Sequence, residues 1–235
     1  RVLPRLSHIN PAVVYSACKV IIAYFPLMDK EILVEGLCKK LAAPLGTLVT
    51  GECYENIWAV LRGLQLVVVK YPQIFTDVKI FFVKYNDPSY VKHEKLNMIF
   101  AITNDKNYEI VLNELNEYAY DMDLEFNSQA VRCIWKIALR IPMALTKVLS
   151  MLNSVVGSVG EGSGQHFIEE VMIGYEQIVR RYPKASNYAE NVKLIMQRAD
   201  SVNKPDAKCS LLFLLGEYYT AIEDGKTFIT SYIEK

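Results

Sequence analysis

A chain of 235 residues can bury one sizeable core or about six two-helix repeats, and 51% of these residues are hydrophobic. Twenty-six Lys and Arg balance 26 Asp and Glu, so the positive excess that drives nucleic-acid binding is lacking. No apolar run approaches the ~18 residues of a membrane-spanning helix, and five dispersed cysteines without a C-x-x-C pair exclude a disulfide framework and a cysteine-based zinc site.

Six times along the chain a small capping residue precedes an apolar-striped stretch: at Asn10, Thr50, Asp87, Asp123, Ser163 and Asn203, at intervals of 40, 37, 36, 40 and 40 residues. A period of this size, holding two helix-length segments, is the signature of a HEAT- or armadillo-type solenoid. The expected fold is all-α: a superhelical α-solenoid of about six two-helix repeats, running as a single fragment over residues 1–235.

In the first repeat, Asn10 offers a side-chain acceptor at the N-cap and Pro11 follows where its absent N–H is not missed. Val13, Ala17, Val20, Ile21 and Tyr24 then share one helical face, Pro26 ends the helix, and a partner helix runs over 30–43 with Pro44 as a kink. The second repeat pairs 54–71 with a shorter helix at 74–85, and Asp87-Pro88 repeats the capping chemistry of Asn10-Pro11. The third pairs 88–103 with 108–120, the fourth 126–140 with 143–155, the fifth 167–182 with 188–199, and the sixth 206–222 with 226–233. Residues 157–164 are glycine-rich and read as a loop between the fourth and fifth repeats. Lys70-Tyr71-Pro72 and Arg181-Tyr182-Pro183 stand 111 residues apart, three times 37, which suggests tyrosines packing on the apolar seam before a proline-forced turn.

No catalytic constellation emerges. His8, His93 and His166 fall in different parts of the chain without metal-ligand spacing, so no metal or cofactor is expected. Gly160, Gly162 and Gly164 follow no strand and precede no Lys-Ser/Thr, which removes the context of a phosphate loop. Glu169 and Glu170 are consecutive and point apart on a helix, so they form no carboxylate dyad. Charge, however, is unevenly spread. Residues 105–125 hold seven acids and one base, whereas 128–160 hold four bases and no acid. Arg132, Lys136 and Arg140 form a basic stripe at i, i+4, i+8, either an interface for an acidic neighbour or a solvated face.

The segment Lys79-Ile80-Phe81-Phe82-Val83-Lys84-Tyr85-Asn86-Asp87-Pro88-Ser89-Tyr90-Val91-Lys92-His93-Glu94-Lys95-Leu96 closely resembles the trunk of the β-adaptins, large subunits of heterotetrameric clathrin adaptor complexes. Pro4-Arg5-Leu6-Ser7-His8, Lys39-Lys40-Leu41-Ala42-Ala43-Pro44-Leu45, Val111-Leu112-Asn113-Glu114-Leu115 and Pro205-Asp206-Ala207-Lys208 agree in the same order. The resemblance implies the later part of such a trunk: a non-enzymatic scaffold of vesicle-mediated intracellular protein transport, cytoplasmic and peripheral on Golgi, endosomal or plasma-membrane coated vesicles. Its implied partners are the medium (μ) subunit, which it cradles, the other large adaptin and the small subunit. Clathrin would be reached only through a hinge, and the membrane and an Arf-family GTPase through an amino-terminal region, neither of which is read in this sequence. In the family's locked core two trunk side chains plug the medium subunit's signal pocket. Matching places them at Met122, where a smaller aliphatic residue is usual, and at His166, where a tyrosine is usual. A coatomer-type large subunit shares the architecture, but the 85–96 stretch favours the adaptor. A free-standing helical-repeat receptor for peptides would call for regular groove tryptophans, and there are two, Trp58 and Trp135.

Overall fold

Helix caps and proline positions partition the chain much as the apolar periodicity suggests, with instructive exceptions. The computed structural model describes residues 2–28, 31–51, 53–75, 77–158, 165–183, 188–199, 202–219 and 230, and among these there are ten α-helices and no strand. They fall into two compact units, residues 1–107 and 108–235, whose boundary lies between the two helices read as the third repeat.

In the first unit, α1 (Pro11–Tyr24) begins as its sequence dictates: Asn10 Oδ1 accepts from the Ala12 N–H at 2.9 Å and Pro11 opens the first turn. The helix closes in a 3₁₀ turn, Phe25–Leu27, around Pro26. Helix α2 (Glu31–Val49) does not stop at Pro44. Leu41 and Leu45 are fully buried and Val49 nearly so. Their burial, at about 1.5–3 kcal/mol per side chain, outweighs the roughly 3 kcal/mol that an interior proline costs. Helix α3 (Tyr54–Lys70) is not capped by Thr50, whose hydroxyl donates back to the Gly46 carbonyl at 2.9 Å; its N-cap residue is Cys53. Helix α4 spans Ser89–Ile102 and packs along α3.

The helix expected over 74–85 is absent. Two short 3₁₀ turns, Pro72–Ile74 and Val78–Phe81, lead into extended chain. Asp77 caps the second turn by accepting from the Lys79 N–H at 2.9 Å. Phe75, Val78 and Phe81 recur every third residue and all three are buried, the last two as the ends of the Val78–Phe81 turn. The Phe75 and Phe81 rings meet edge to face at 4.9 Å.

Asp87 is not a helix cap either; that position belongs to Pro88. The Asp87 carboxylate instead turns inward to the Lys95 ammonium at 2.6 Å, with both side chains buried. Asp87 Oδ2 also accepts from the Lys84 N–H at 2.7 Å, and Lys95 Nζ donates to the Phe82 carbonyl at 3.3 Å. This pair ties the 82–87 turn to α4. The run that carries the strongest family resemblance thus has a buried ion pair at its centre.

In the second unit, α5 (Tyr108–Tyr118) is followed by α6 (Leu124–Arg140), α7 (Leu145–Ser158), α8 (Gln165–Arg181), α9 (Tyr188–Met196) and α10 (Pro205–Tyr218). Asp123 caps α6, accepting from Glu125 and Phe126 N–H groups at 3.1 and 3.2 Å. Helix α7 carries through Gly157 to Ser158, where a loop was expected to begin; 159–164, with Gly160, Gly162 and Gly164, lies outside the described residues, as do the Ser163 cap and all but one residue of the helix expected at 226–233. The N-cap of α10 is Lys204, not Asn203.

Helix α8 packs against both α6 and α10, and α7 against α9. Each helix is therefore covered by one roughly a period away in sequence, as stacked hairpins require. Gly174 makes the α6–α8 approach possible: a Cβ there would come within 2.6 Å of the Trp135 ring. Tyr182 reaches across the same seam, its hydroxyl donating to the Ala138 carbonyl at 3.1 Å. In the first unit its counterpart Tyr71 sets its ring edge-on to Phe25 at 5.0 Å.

Removing one partner of a buried pair leaves the other charge stranded, at a cost of about 3–5 kcal/mol. Asp87→Ala is expected to lower the unfolding free energy from urea denaturation by that amount. The double variant Asp87→Leu with Lys95→Met, which strands no charge, is expected to recover most of the loss in the same denaturation series.

Candidate functional site: the polar seam and outer faces of the second unit

Arg132 lies half-exposed on α6, and its guanidinium forks onto the buried Glu170 carboxylate of α8. Nε donates to Oε2 at 3.0 Å and an Nη donates to Oε1. Hydrogen bonding to Glu170 raises the Arg132 pKa above its ordinary value. Arginine is suited to this place because its planar fork satisfies both carboxylate oxygens at once.

Glu169, the preceding residue, points the other way. Its Oε1 accepts from the Asn203 and Lys204 N–H groups, both at 3.0 Å, and Lys204 Nζ lies 3.2 Å from Oε2. A carboxylate from α8 thus caps the entrance to α10, where the unsatisfied N–H groups and the positive helix end favour an anion. Burial pushes the Glu169 pKa up, but the backbone N–H groups of Lys204 and Asn203 and the Lys204 ammonium outweigh it and hold the carboxyl below its usual range.

Further along α8, Glu176 takes a hydrogen bond from Ser210 on α10 at 2.6 Å and an ion pair from Arg180 at 2.7 Å. A recess of about 530 Å³ opens on this face of α6, α8 and α10. Its charges are largely compensated within the protein: Arg132 by Glu170, and Glu176 by Arg180 and Ser210. Of the basic stripe, Arg132 is a structural clamp, Lys136 sits 5.7 Å over the Trp135 ring, and Arg140 is exposed in the last turn of α6. The three do not form one uniform basic face.

Met122 is displayed. It lies in the link between α5 and α6 and is 97% exposed, flanked by Tyr120 at 50% and Leu124 at 56%. The link is held from within: Asp121 Oδ1 accepts from the Asp123 N–H at 3.0 Å, and Asp123 in turn caps α6. Three exposed apolar side chains on a hydrogen-bonded link form a small contact patch. Leu124 was not singled out from sequence; its alternation with Tyr120 and Met122 beside an Asx turn was the available signal. His166 lies in the first turn of α8, and its side chain is outside the described residues.

The cysteines divide. Cys18, Cys38 and Cys133 are buried, while Cys53 and Cys209 are exposed rather than packed in the core. Burial pushes the Cys18 thiol up to about 11 and the Cys133 thiol up to about 12, so neither is a nucleophile near neutral pH. No helix of the described residues is long and apolar enough to cross a membrane.

Stacked helices joined laterally by hydrogen-bonded side chains define a helical-repeat protein. The chain belongs to the adaptin family: the family model described as Adaptin N terminal region matches residues 1–235. It is 36% identical over 235 residues to the AP-1 complex subunit beta of Dictyostelium discoideum and 35% identical over 236 residues to the AP-1 complex subunit beta-1 of Homo sapiens. Each alignment covers 100% of this chain and 24% of the relative. The AP-2 complex subunit beta of Schizosaccharomyces pombe is 30% identical over 239 residues, covering 100% of this chain and 34% of that protein. The chain therefore spans a quarter to a third of the length of these curated relatives.

Two outcomes follow from the seam. Arg132→Glu would leave Glu170 buried against a second carboxylate and is expected to cost about 3 kcal/mol, whereas Arg140→Glu, on an exposed last turn, is expected to cost under about 1 kcal/mol; thermal denaturation of the two variants reads the difference. Because the folded Glu169 pKa lies below its unfolded value, its contribution is fully present above the unfolded pKa of about 4.3 and is lost as pH falls through the folded one. The gap in urea midpoint between the parent chain and Glu169→Gln is thus expected to be constant near neutrality and to close on acidification below about pH 4.

Proposed function

We propose that this chain is a non-enzymatic scaffold segment of the β-type large subunit of a clathrin-associated adaptor complex, acting in vesicle-mediated intracellular protein transport. The observation that carries this reading is the agreement along all of residues 1–235 with the adaptin family and with β subunits of AP-1 and AP-2 complexes. The segment is read as the later part of the trunk, resting on the ordered residue matches and not on where the chain begins. Its repeats, starting near residues 10, 50, 87, 123, 163 and 203, are read as one solenoid fragment. Its partners are the medium, other large and small subunits, and its place is the cytosolic face of coated vesicles.

Within that reading the medium subunit is cradled by the second unit, and Met122 with Tyr120 and Leu124 supplies the apolar contact. A pinned link presenting exposed apolar side chains suits docking into an apolar pocket, because little ordering entropy remains to be lost on binding. Arg132 is clamped to Glu170, so Lys136, with Arg140 in the exposed last turn of α6, is the part of the basic stripe proposed to face an acidic neighbour. His166 is retained as the second pocket-directed residue.

Co-expression of the chain with the amino-terminal domain of a medium subunit is expected to give a complex that co-elutes on gel filtration. Met122→Asp, which places a charge in the apolar contact, is expected to weaken that complex at least about tenfold in calorimetric titration. Clean separation of the two unmodified proteins would overturn the proposed surface.

A further inference from the structure

In the first unit α1 and α3 enclose a small apolar pocket of about 180 Å³. Its floor is made by Cys18, Leu45 and Leu64, each 1% exposed or less. Three exposed residues, Lys19, Ala23 and Gly63, border its mouth, which stays open because Ala23 and Gly63 are small. One wall is Tyr15, which crosses α3 directly over Gly63: a Cβ on Gly63 would come within 1.8 Å of the Tyr15 hydroxyl. That hydroxyl donates to the Ala59 carbonyl at 3.2 Å, fixing the ring. The Lys19 ammonium sits 4.6 Å above the same ring, so the cation is held at the mouth by attraction to the aromatic face. Lys19 is the one charged side chain among the described residues that line the pocket.

These features select an occupant. The lining offers a water cluster too few polar partners, since each buried water needs two to four of them. The volume matches one leucine- or phenylalanine-sized side chain, comparable to apolar cavities of about 150 Å³ that take up benzene. No carboxylate among the described residues pairs with the Lys19 ammonium, which favours a carboxylate beside that anchor. Leu66, three residues beyond Gly63 on α3 and 84% exposed, offers further apolar surface for the segment that carries it.

We propose that this pocket is a docking site for an acidic segment of a partner protein, which inserts one large apolar side chain between α1 and α3 and sets a neighbouring carboxylate against Lys19. Tyr15 and Lys19 are already in place, so binding does not require α1 or α3 to move. Ala23 and Gly63 are the residues that set the width of the entrance, and neither was distinguishable from an ordinary helical small residue in the sequence.

The test uses the 235-residue chain with methyl-labelled Ile, Leu and Val, titrated with the peptide acetyl-Ser-Asp-Ser-Phe-Ser-amide and followed by NMR. Shifts confined to Ile22, Leu45, Leu64 and Val67 are expected. Replacing the peptide's Phe by Ser is expected to abolish them, and replacing its Asp by Asn, or Lys19→Glu in the protein, to weaken binding about threefold or more, the scale of an exposed ion pair. Ala23→Trp is expected to block the mouth and remove binding; Ala23→Leu replaces it if the larger variant does not fold. Shifts that persist in the blocked variant, or equal affinity for the Asn peptide, would overturn the proposal. So would saturation of the same methyls by octanoate without any response to the peptide, which would assign the pocket to an acyl chain.

Discussion

Glu169 and Glu170 are neighbours in the chain but about 100° apart around α8, and the packing of the second unit depends on that angle. Glu170 turns back to Arg132 on α6; Glu169 turns forward to the entrance of α10. A carboxylate buried without partners would be strongly destabilising, so each of these contacts holds its neighbouring helix in one register. The apolar seam can tolerate small slips between helices, but two oppositely directed carboxylates cannot. Burial of the seam supplies the association, and the acids select its alignment.

The same logic recurs wherever hairpins meet within a unit. In the first unit Glu94 on α4 accepts from both Arg62 and Gln65 of α3, and Arg62 lies 3.1 Å from it. In the second, Asn153 of α7 donates to Asn191 of α9 at 2.8 Å, and Lys147 reaches the Glu109 carbonyl at 3.3 Å. Arg132–Glu170, Asn153–Asn191 and Lys147–Glu109 are each 38 residues apart. The repeat length thus appears directly as the sequence separation of side-chain contacts. A helical hairpin alone cannot cover its apolar faces, so the residue that satisfies a buried group comes from a hairpin one period away.

Committing charged groups to the seam changes what remains for recognition. Arg132 belongs to the interior lattice in spite of its half-exposed guanidinium, and Glu176 is held by Arg180 and Ser210. Among the described residues, two apolar features stay open at the surface: the pinned link around Met122, and the pocket whose mouth is framed by Ala23 and Gly63. Both present apolar side chains on backbone already fixed by hydrogen bonds, so little ordering entropy would remain to be lost on binding there. The raised thiol pKa values of Cys18 and Cys133 accord with packing roles for those residues.

The all-α class, the Asn10 and Asp123 caps, most helix spans and the family resemblance were legible in the sequence because they rest on local chemistry: 3.6-residue periodicity, capping side chains and proline positions. Non-local balance decided the rest. Pro44 is carried inside α2 because Leu45 and Val49 are buried, and 74–85 gives up a helix because Phe75, Val78 and Phe81 are all drawn inward in a three-residue register. Asp87 reads as a cap beside Pro88, yet the buried Lys95 ammonium needs a counter-charge and claims it. By itself the sequence determined the all-α class, most of the helix spans and the period with which they repeat. Only the tertiary structure decided which charges are consumed in holding neighbouring helices in register and which side chains are left for partners, because a residue's partner a period away cannot be read from its own helix.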